Sequence, residues 1–380
     1  MSVKTVFITG ATGVVGSAVV PLFLQEPATE IRLLLRARSD SELQARLDKL
    51  FEFWEPELQG LADASSARTR VQAVRGDVSV PRLGLSEAVY DQLGSEVTHI
   101  VHSAANVKMK MSAQEAHQTS VVSTTEIAAL AEKCRRKGQF HKLDYISTLG
   151  VAGKMTGLIP EEPLLAKRAF HNTYESSKAE AEEFILEKLK EGLPVTIHRP
   201  SMVVGNSQTG KIIHFQIFYY LSEFLTGKST YGMVPIIKNV KLDTIPADYV
   251  AKALYWSSAN DSCTGKILHL CSGPDKAMDV ALLTETLRDI LAVQGEKLPR
   301  LHLIPLWLFR SALPVLKWVA PTELKKAVNN LSLFLDYIDD RQLFANSNTN
   351  AILSAAGILL PSPEDYLNKV IAYSIAHKRK

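Results

Sequence analysis

Val3-Lys4-Thr5-Val6-Phe7-Ile8-Thr9-Gly10-Ala11-Thr12-Gly13-Val14-Val15-Gly16 joins an apolar strand to three glycines spaced three apart and then to the apolar start of a helix. Each glycine has its own task in that turn. Gly10 permits the tight exit from the strand, Gly13 lets backbone approach a pyrophosphate, and Gly16 lets the helix pack closely on the strand. The first turn of the helix then offers unpaired N–H groups to phosphate oxygens. A bare glycine turn could show the same spacing. The strand before it and the helix after it are the context that points to a dinucleotide site.

Outward from that turn, apolar strand patterns recur at 31 to 36, 71 to 75, 98 to 102, 142 to 147 and 194 to 199, with helical patterns between them. Alternation of this kind predicts right-handed βαβ crossovers and a doubly wound, Rossmann-type parallel sheet covered on both faces. The polar stretch between the second and third strands predicts a helix from Ser41 to Trp54 and a surface loop over Ala62 to Ala67. Organisation follows as a nucleotide-binding domain over 1–205 and a smaller, mostly helical C-terminal region over 206–380, with 240–275 returning to the core.

The chain has 380 residues, 46% of them apolar, and a net charge of +3. Such a chain can bury a large core, and its mixed charges give no electrostatic reason to expect nucleic acid. The basic end His377-Lys378-Arg379-Lys380 reads as a solvated tail. Cys134, Cys263 and Cys271 lack metal-type spacing, so no metal site and no disulfide framework is expected. The N-terminus enters a strand within three residues, with no signal peptide pattern, which predicts a cytoplasmic protein. The apolar run from Leu303 to Ala320 is interrupted by Arg310, Pro314 and Lys317. It reads as a buried or interfacial segment, with peripheral membrane contact as one of its uses and no transmembrane span.

Arg36 closes the second strand where an enzyme specific for NAD would carry an acidic group for the ribose 2′-hydroxyl, and Arg38 follows it. Guanidinium forks there favour the 2′-phosphate of NADP(H). Asp77 in Gly76-Asp77-Val78 can accept from the adenine amino group while Val78 covers the ring. Ser103, Ala104 and Ala105 leave room beside the nicotinamide ribose, and His102 before them reads as a satisfied strand-end histidine. Further on, Tyr174-Glu175-Ser176-Ser177-Lys178 opens a helix. Tyrosine and lysine four residues apart share one helix face, and an ammonium beside a phenol is expected to lower the phenol pKa so that it can exchange a proton during hydride transfer. The preceding strand ends Tyr145-Ile146-Ser147-Thr148, which supplies a hydroxyl.

These segments, together with His198-Arg199-Pro200-Ser201-Met202-Val203-Val204-Gly205 and Thr244-Ile245-Pro246-Ala247-Asp248-Tyr249-Val250, resemble the extended short-chain dehydrogenase/reductases. Within that superfamily the chain is similar to thioester reductase domains and fatty acyl-CoA reductases of the male-sterility type. The resemblance implies Thr148, Tyr174 and Lys178 as the catalytic set, with Ser147 a structural alternate. It implies NADPH held by Gly10, Thr12, Gly13, Val14, Val15, Gly16, Arg36, Arg38, Asp77, Val78, Ser103, Ala104, Ala105 and Lys178, with Pro200 and Val203 at the nicotinamide carboxamide. The implied substrate is an acyl thioester of CoA or of an acyl carrier protein, reduced to an aldehyde or on to the alcohol. No carrier or adenylation domain accompanies these residues, which reads as a free-standing enzyme. The alternative is an extended short-chain oxidoreductase or epimerase acting on a ketone, an alcohol or a nucleotide sugar. One departure stands out, since the family's usual Asn-Val-x-Gly-Thr is here Ser120-Val121-Val122-Ser123-Thr124. The aromatic and aliphatic run Ile212 to Leu221 predicts a helix that either walls an acyl tunnel or packs as core. Ile304 to Phe309 and Leu331 to Leu335 either close the same pocket or serve the ordinary core of a small subdomain.

Overall fold

A computed structural model describes residues 3–59, 64–109, 111–311, 335 and 341–377. Its centre is a seven-stranded, wholly parallel sheet. In chain order the strands are β1 (Lys4–Thr9), β2 (Thr29–Leu35), β3 (Val71–Arg75), β4 (His99–His102), β5 (Lys142–Ile146), β6 (Val195–Pro200) and β7 (Ile267–Leu270). Across the sheet they lie in the order 7-6-5-4-1-2-3. The order reverses between β1 and β4, and a crevice opens at the carboxyl ends of those two strands. The six strands read from the sequence are all present, and β7 adds a seventh beside β6.

Helices α1 (Val14–Phe23), α2 (Asp40–Leu58), α3 (Glu87–Glu96), α4 (Ser123–Arg136), α5 (Thr173–Lys190), α6 (Ile217–Leu225) and α7 (Ala247–Ser258) supply most of the cover. One buried cluster unites Val6, Ile8, Phe23 and Trp54 with Leu254. A second, on the opposite face, joins Phe7, Ile100, Ile127 and Leu143 with Ile185. Alternate residues of β1 thus feed opposite layers, as the two-residue period of a strand requires.

Two expectations change. Ala62 and Asp63 lie outside the described residues, and the rest of the expected loop is part of a short helix, Ala64–Thr69, with Ala67 fully buried. Ala67 packs in the main core there. The helix expected over 212–221 begins only at Ile217 and buries Phe218, Tyr219, Leu221, Phe224 and Leu225 in the main core. Tyr219 also accepts the Gly205 N–H at 3.1 Å. Core packing is the use the structure gives these side chains.

In the C-terminal region, Gln342–Phe344 pairs in parallel with Gly157–Ile159. Glu161 accepts from the N–H groups of Asn348 (2.8 Å) and Thr349 (3.0 Å) at the start of helix Ser347–Ala355. Thr349 in turn accepts the His269 N–H of β7 at 2.9 Å. His302–Ile304 pairs with Met233–Pro235, while Trp307 stays exposed and Phe309 packs on Phe224. Residues 312–334 and the tail 378–380 lie outside the description, and with them most of the Leu303–Ala320 run, Leu331 to Phe334 and the basic end. Among the described residues no helix is long and apolar enough to cross a membrane. The three cysteines are buried and free.

Candidate active site

The glycine turn is built as tightly as its spacing suggests. Gly10 has φ +78°, and a Cβ there would lie 2.6 Å from the Ala104 nitrogen at the end of β4. A Cβ on Gly16 would lie 2.2 Å from the Gly10 carbonyl oxygen, so no side chain fits where α1 crosses β1. Gly10→Ala is therefore expected to destabilise the fold by more than about 1–2 kcal/mol, the left-handed cost alone, because the clash is with backbone. Urea unfolding would measure this, and an unchanged midpoint would contradict the close approach of β1 and β4.

Gly13 caps α1 with extended backbone, no side chain bonds to the cap, and the first turn carries no acidic residue. That end is open to an anion. Nearby, Arg36, Ala37, Arg75, Gly76, Asp77 and Gly84 line a cavity of about 280 Å³. Arg36 is 76% exposed and reaches Asp77 at 4.0 Å. The other carboxyl oxygen of Asp77 accepts from Ser79 N–H (2.9 Å) and Oγ (2.7 Å), which fixes its direction. Arg38 is exposed with its backbone N–H on Glu42. Arg75, which no motif in the sequence marked, faces the same cavity. A dinucleotide's pyrophosphate fits the open helix end, and its adenosine half fits the basic cavity.

At the other side of the crevice, Ser103 Oγ donates to the Thr9 carbonyl at 2.8 Å, which ties β4 to β1 and leaves Ala104 and Ala105 to shape the edge. His102 shares a 2.8 Å bond with Thr9 Oγ1, and burial pulls its pKa down to about 3. It is a satisfied neutral histidine, as its place at a strand end suggests. Pro200 ends β6, and Val203 sits in the short strand Met202–Val204 paired with Thr244–Pro246.

Thr148 follows β5 and Tyr174 opens α5, whose N-cap Asn172 accepts the Glu175 N–H. Thr148 lies next to Tyr174, and its hydroxyl pulls the phenol pKa down. Gly150 N–H donates to Thr148 Oγ1 at 3.1 Å and holds that side chain at the turn. Ser147 instead points down and donates to Glu182. One turn along α5, Lys178 is buried and donates to the Ile146 carbonyl (2.8 Å) and to Tyr145 Oη (3.3 Å).

The expected lowering of the tyrosine pKa does not occur. Burial pushes Tyr174 up to about 12, the Thr148 hydroxyl pulling the other way and the Glu175 carboxylate adding to the rise. Lysine and tyrosine share a helix face, but the ammonium is drawn down to β5. Tyr174 is a protonated phenol, fit to donate. Burial lowers Lys178 to about 8, opposed by the Glu182 carboxylate.

Below the site lies an ion pair that the sequence reading missed. Arg199 and Glu182 are buried and doubly bonded. Arg199 also donates to the Glu162 carbonyl at 3.0 Å and meets His269 Nε2 at 3.1 Å. A charged residue inside the apolar strand Val195–Pro200, and a glutamate four residues after Lys178, were the available signals.

A doubly wound nucleotide fold carrying a Thr–Tyr–Lys cluster at its switch point defines a short-chain dehydrogenase/reductase type of site. Residues 8–254 match the NAD-binding family described as male sterility protein, and the chain belongs to that family. It is 30% identical over 279 residues to the isonitrile lipopeptide synthase of Streptomyces coeruleorubidus, covering 72% of this chain and 18% of that one. The chain thus spans less than a fifth of that relative. It superposes on the terminal R domain from the myxalamid PKS-NRPS biosynthetic pathway with a TM-score of 0.82 at 25% identity, covering 100% of this chain and 92% of the other. The thiolation-reductase di-domain of an archaeal non-ribosomal peptide synthetase gives 0.75 at 18% identity, covering 100% and 76%.

Proposed function

We propose that the protein reduces an acyl thioester to an aldehyde with NADPH as donor. The observation that carries this reading is the grouping of Thr148, after β5, with Tyr174 at the start of α5, and of buried Lys178 one turn on, bonded to the Ile146 carbonyl. The likeness to the myxalamid R domain and to a reductase joined to a thiolation domain supports a thioester held on a carrier.

When bound, NADPH supplies a hydride to the thioester carbonyl carbon. As the carbonyl oxygen gains charge, Thr148 and Tyr174 stabilise it through their hydroxyls, and Tyr174 delivers its phenolic proton to give a hemithioacetal. Lys178, held by Ile146 and Tyr145, has a third N–H that would hold the ribose hydroxyls of the cofactor. Collapse of the hemithioacetal breaks the C–S bond, and the thiol leaves with a proton while the aldehyde forms.

Arg36 and Arg38 place the 2′-phosphate, with Arg75 across the cavity. Arg36→Ser is expected to raise the KM for NADPH about tenfold and leave that for NADH nearly unchanged, a modest effect because the side chain is exposed. Steady-state kinetics with both cofactors check it.

The reading is tested by following NADPH oxidation and thiol release with acyl-CoA and carrier-bound thioesters beside free aldehydes, ketones and nucleotide sugars. Thiol release in step with oxidation supports it. Turnover of ketones or sugars without thiol release moves the protein to another reaction of the same fold.

A further inference from the structure

From the hydrogen bonds that run inward from Lys178, we infer that Tyr145 is a positioning residue: its hydroxyl fixes the Lys178 ammonium in place through a one-way chain to the Ser120 carbonyl. This rests on the reductase reading of Tyr174 and Lys178.

Lys178 has three N–H groups and nothing to accept with, so it must donate to Tyr145 Oη, 3.3 Å away. Thr124 Oγ1 donates to the Ser120 carbonyl at 2.7 Å, and its proton is therefore spent. Tyr145 must then give its own proton to Thr124 Oγ1, at 3.3 Å. Lysine to tyrosine, tyrosine to threonine, threonine to carbonyl is the one arrangement in which both hydroxyl protons of the chain are used.

Gln118–Val122 forms a single π-helical stretch ahead of α4, and the Ser120 carbonyl there accepts the Ser123 N–H, the Thr124 hydroxyl and Ser123 Oγ at 3.0 Å. Ser120 Oγ also accepts from Ser177 Oγ at 3.0 Å, next to Lys178 on α5. The serine that replaces the family asparagine thus meets α5 directly.

The Tyr145 ring adds a second hold. The ammonium lies 4.7 Å from its centroid, and the ring also stacks on neutral His102 at 5.8 Å. The other groups around Lys178 are Tyr174 and Glu182 on its own helix, and the Glu182 carboxylate is already shared with Arg199 and Ser147. Burial holds Tyr145 as a neutral phenol, so it orients the cation without taking its proton.

Tyr145→Phe keeps the ring and removes the hydroxyl. We expect kcat to fall about 10- to 100-fold, the weight of one hydrogen bond to a charged group. The KM for the acyl substrate should stay near the wild-type value, and the alkaline limb of the kcat profile should move to lower pH. Thr124→Val breaks the chain one step further and should act in the same direction, while Thr124→Ser restores the acceptor and the rate. An unchanged kcat and pH profile in Tyr145→Phe overturns the inference. Equal losses in Thr124→Val and Thr124→Ser do the same, since packing alone would then account for both, and this pair decides the matter if Tyr145→Phe fails to fold. A full rate in Tyr174→Phe, assayed alongside, sinks the reductase reading itself and is told apart from either result.

Discussion

Tyr174→Phe is expected to lower thioester turnover by about two to four orders of magnitude while the protein stays folded and still binds NADPH. The substitution removes one oxygen from a half-buried ring, and the packing of α5 does not depend on that atom. What disappears is the proton. With the phenol held at about 12, Tyr174 is fully protonated at neutral pH, and reduction of a carbonyl consumes one proton for every hydride. Thr148 alone can still polarise the carbonyl oxygen but is a poor acid. Cofactor binding should survive because the residues proposed to hold it are those of the glycine turn, the basic cavity and Lys178. The measurement is NADPH oxidation coupled to thiol release, with binding followed separately by cofactor fluorescence. Undiminished turnover would remove Tyr174 from the chemistry.

Glu182→Ala is expected to cost about 3–5 kcal/mol of stability, because it leaves the Arg199 guanidinium buried with a carbonyl and an imidazole in place of a carboxylate. The same change frees Ser147, whose neighbour is Thr148, so residual folded protein should also turn over slowly. A Glu182→Leu, Arg199→Met double variant removes both charges at similar volume. It should regain most of the stability, though not the support of Ser147. Urea unfolding of the single and double variants separates the two effects. A single variant as stable as the parent would show that the pair is not buried in solution.

Much of this was legible in the chain. The strand before the glycines and the alternation after them were enough to give a parallel sheet, since few other arrangements bury apolar runs of that length on both faces. That Tyr174 and Lys178 share one turn of a helix, with Thr148 at the end of the preceding core strand, was readable because short spacing keeps such residues together. The ion pair was less so, because Glu182 and Arg199 are joined by the packing of α5 on β6, not by spacing. The π turn at Gln118–Val122 leaves no compositional trace, so the meaning of Ser120 could not be had from the sequence. The tyrosine pKa was misjudged for a related reason. Sharing a helix face does not decide which way a long side chain leans, and Lys178 leans toward the Ile146 carbonyl.

The pairing of Gln342–Phe344 with Gly157–Ile159, and the capping of the next helix by Glu161, bear on how this protein can be recombined. A chimera that exchanges everything after the sixth strand for the corresponding part of a relative would import a foreign edge against 157–161, the segment that leads into the catalytic helix and whose neighbour Glu162 receives Arg199. Altering specificity by swapping the C-terminal part would then disturb the chemistry as well. A workable graft carries 157–162 along with it, so the exchangeable unit is discontinuous in sequence although continuous in space.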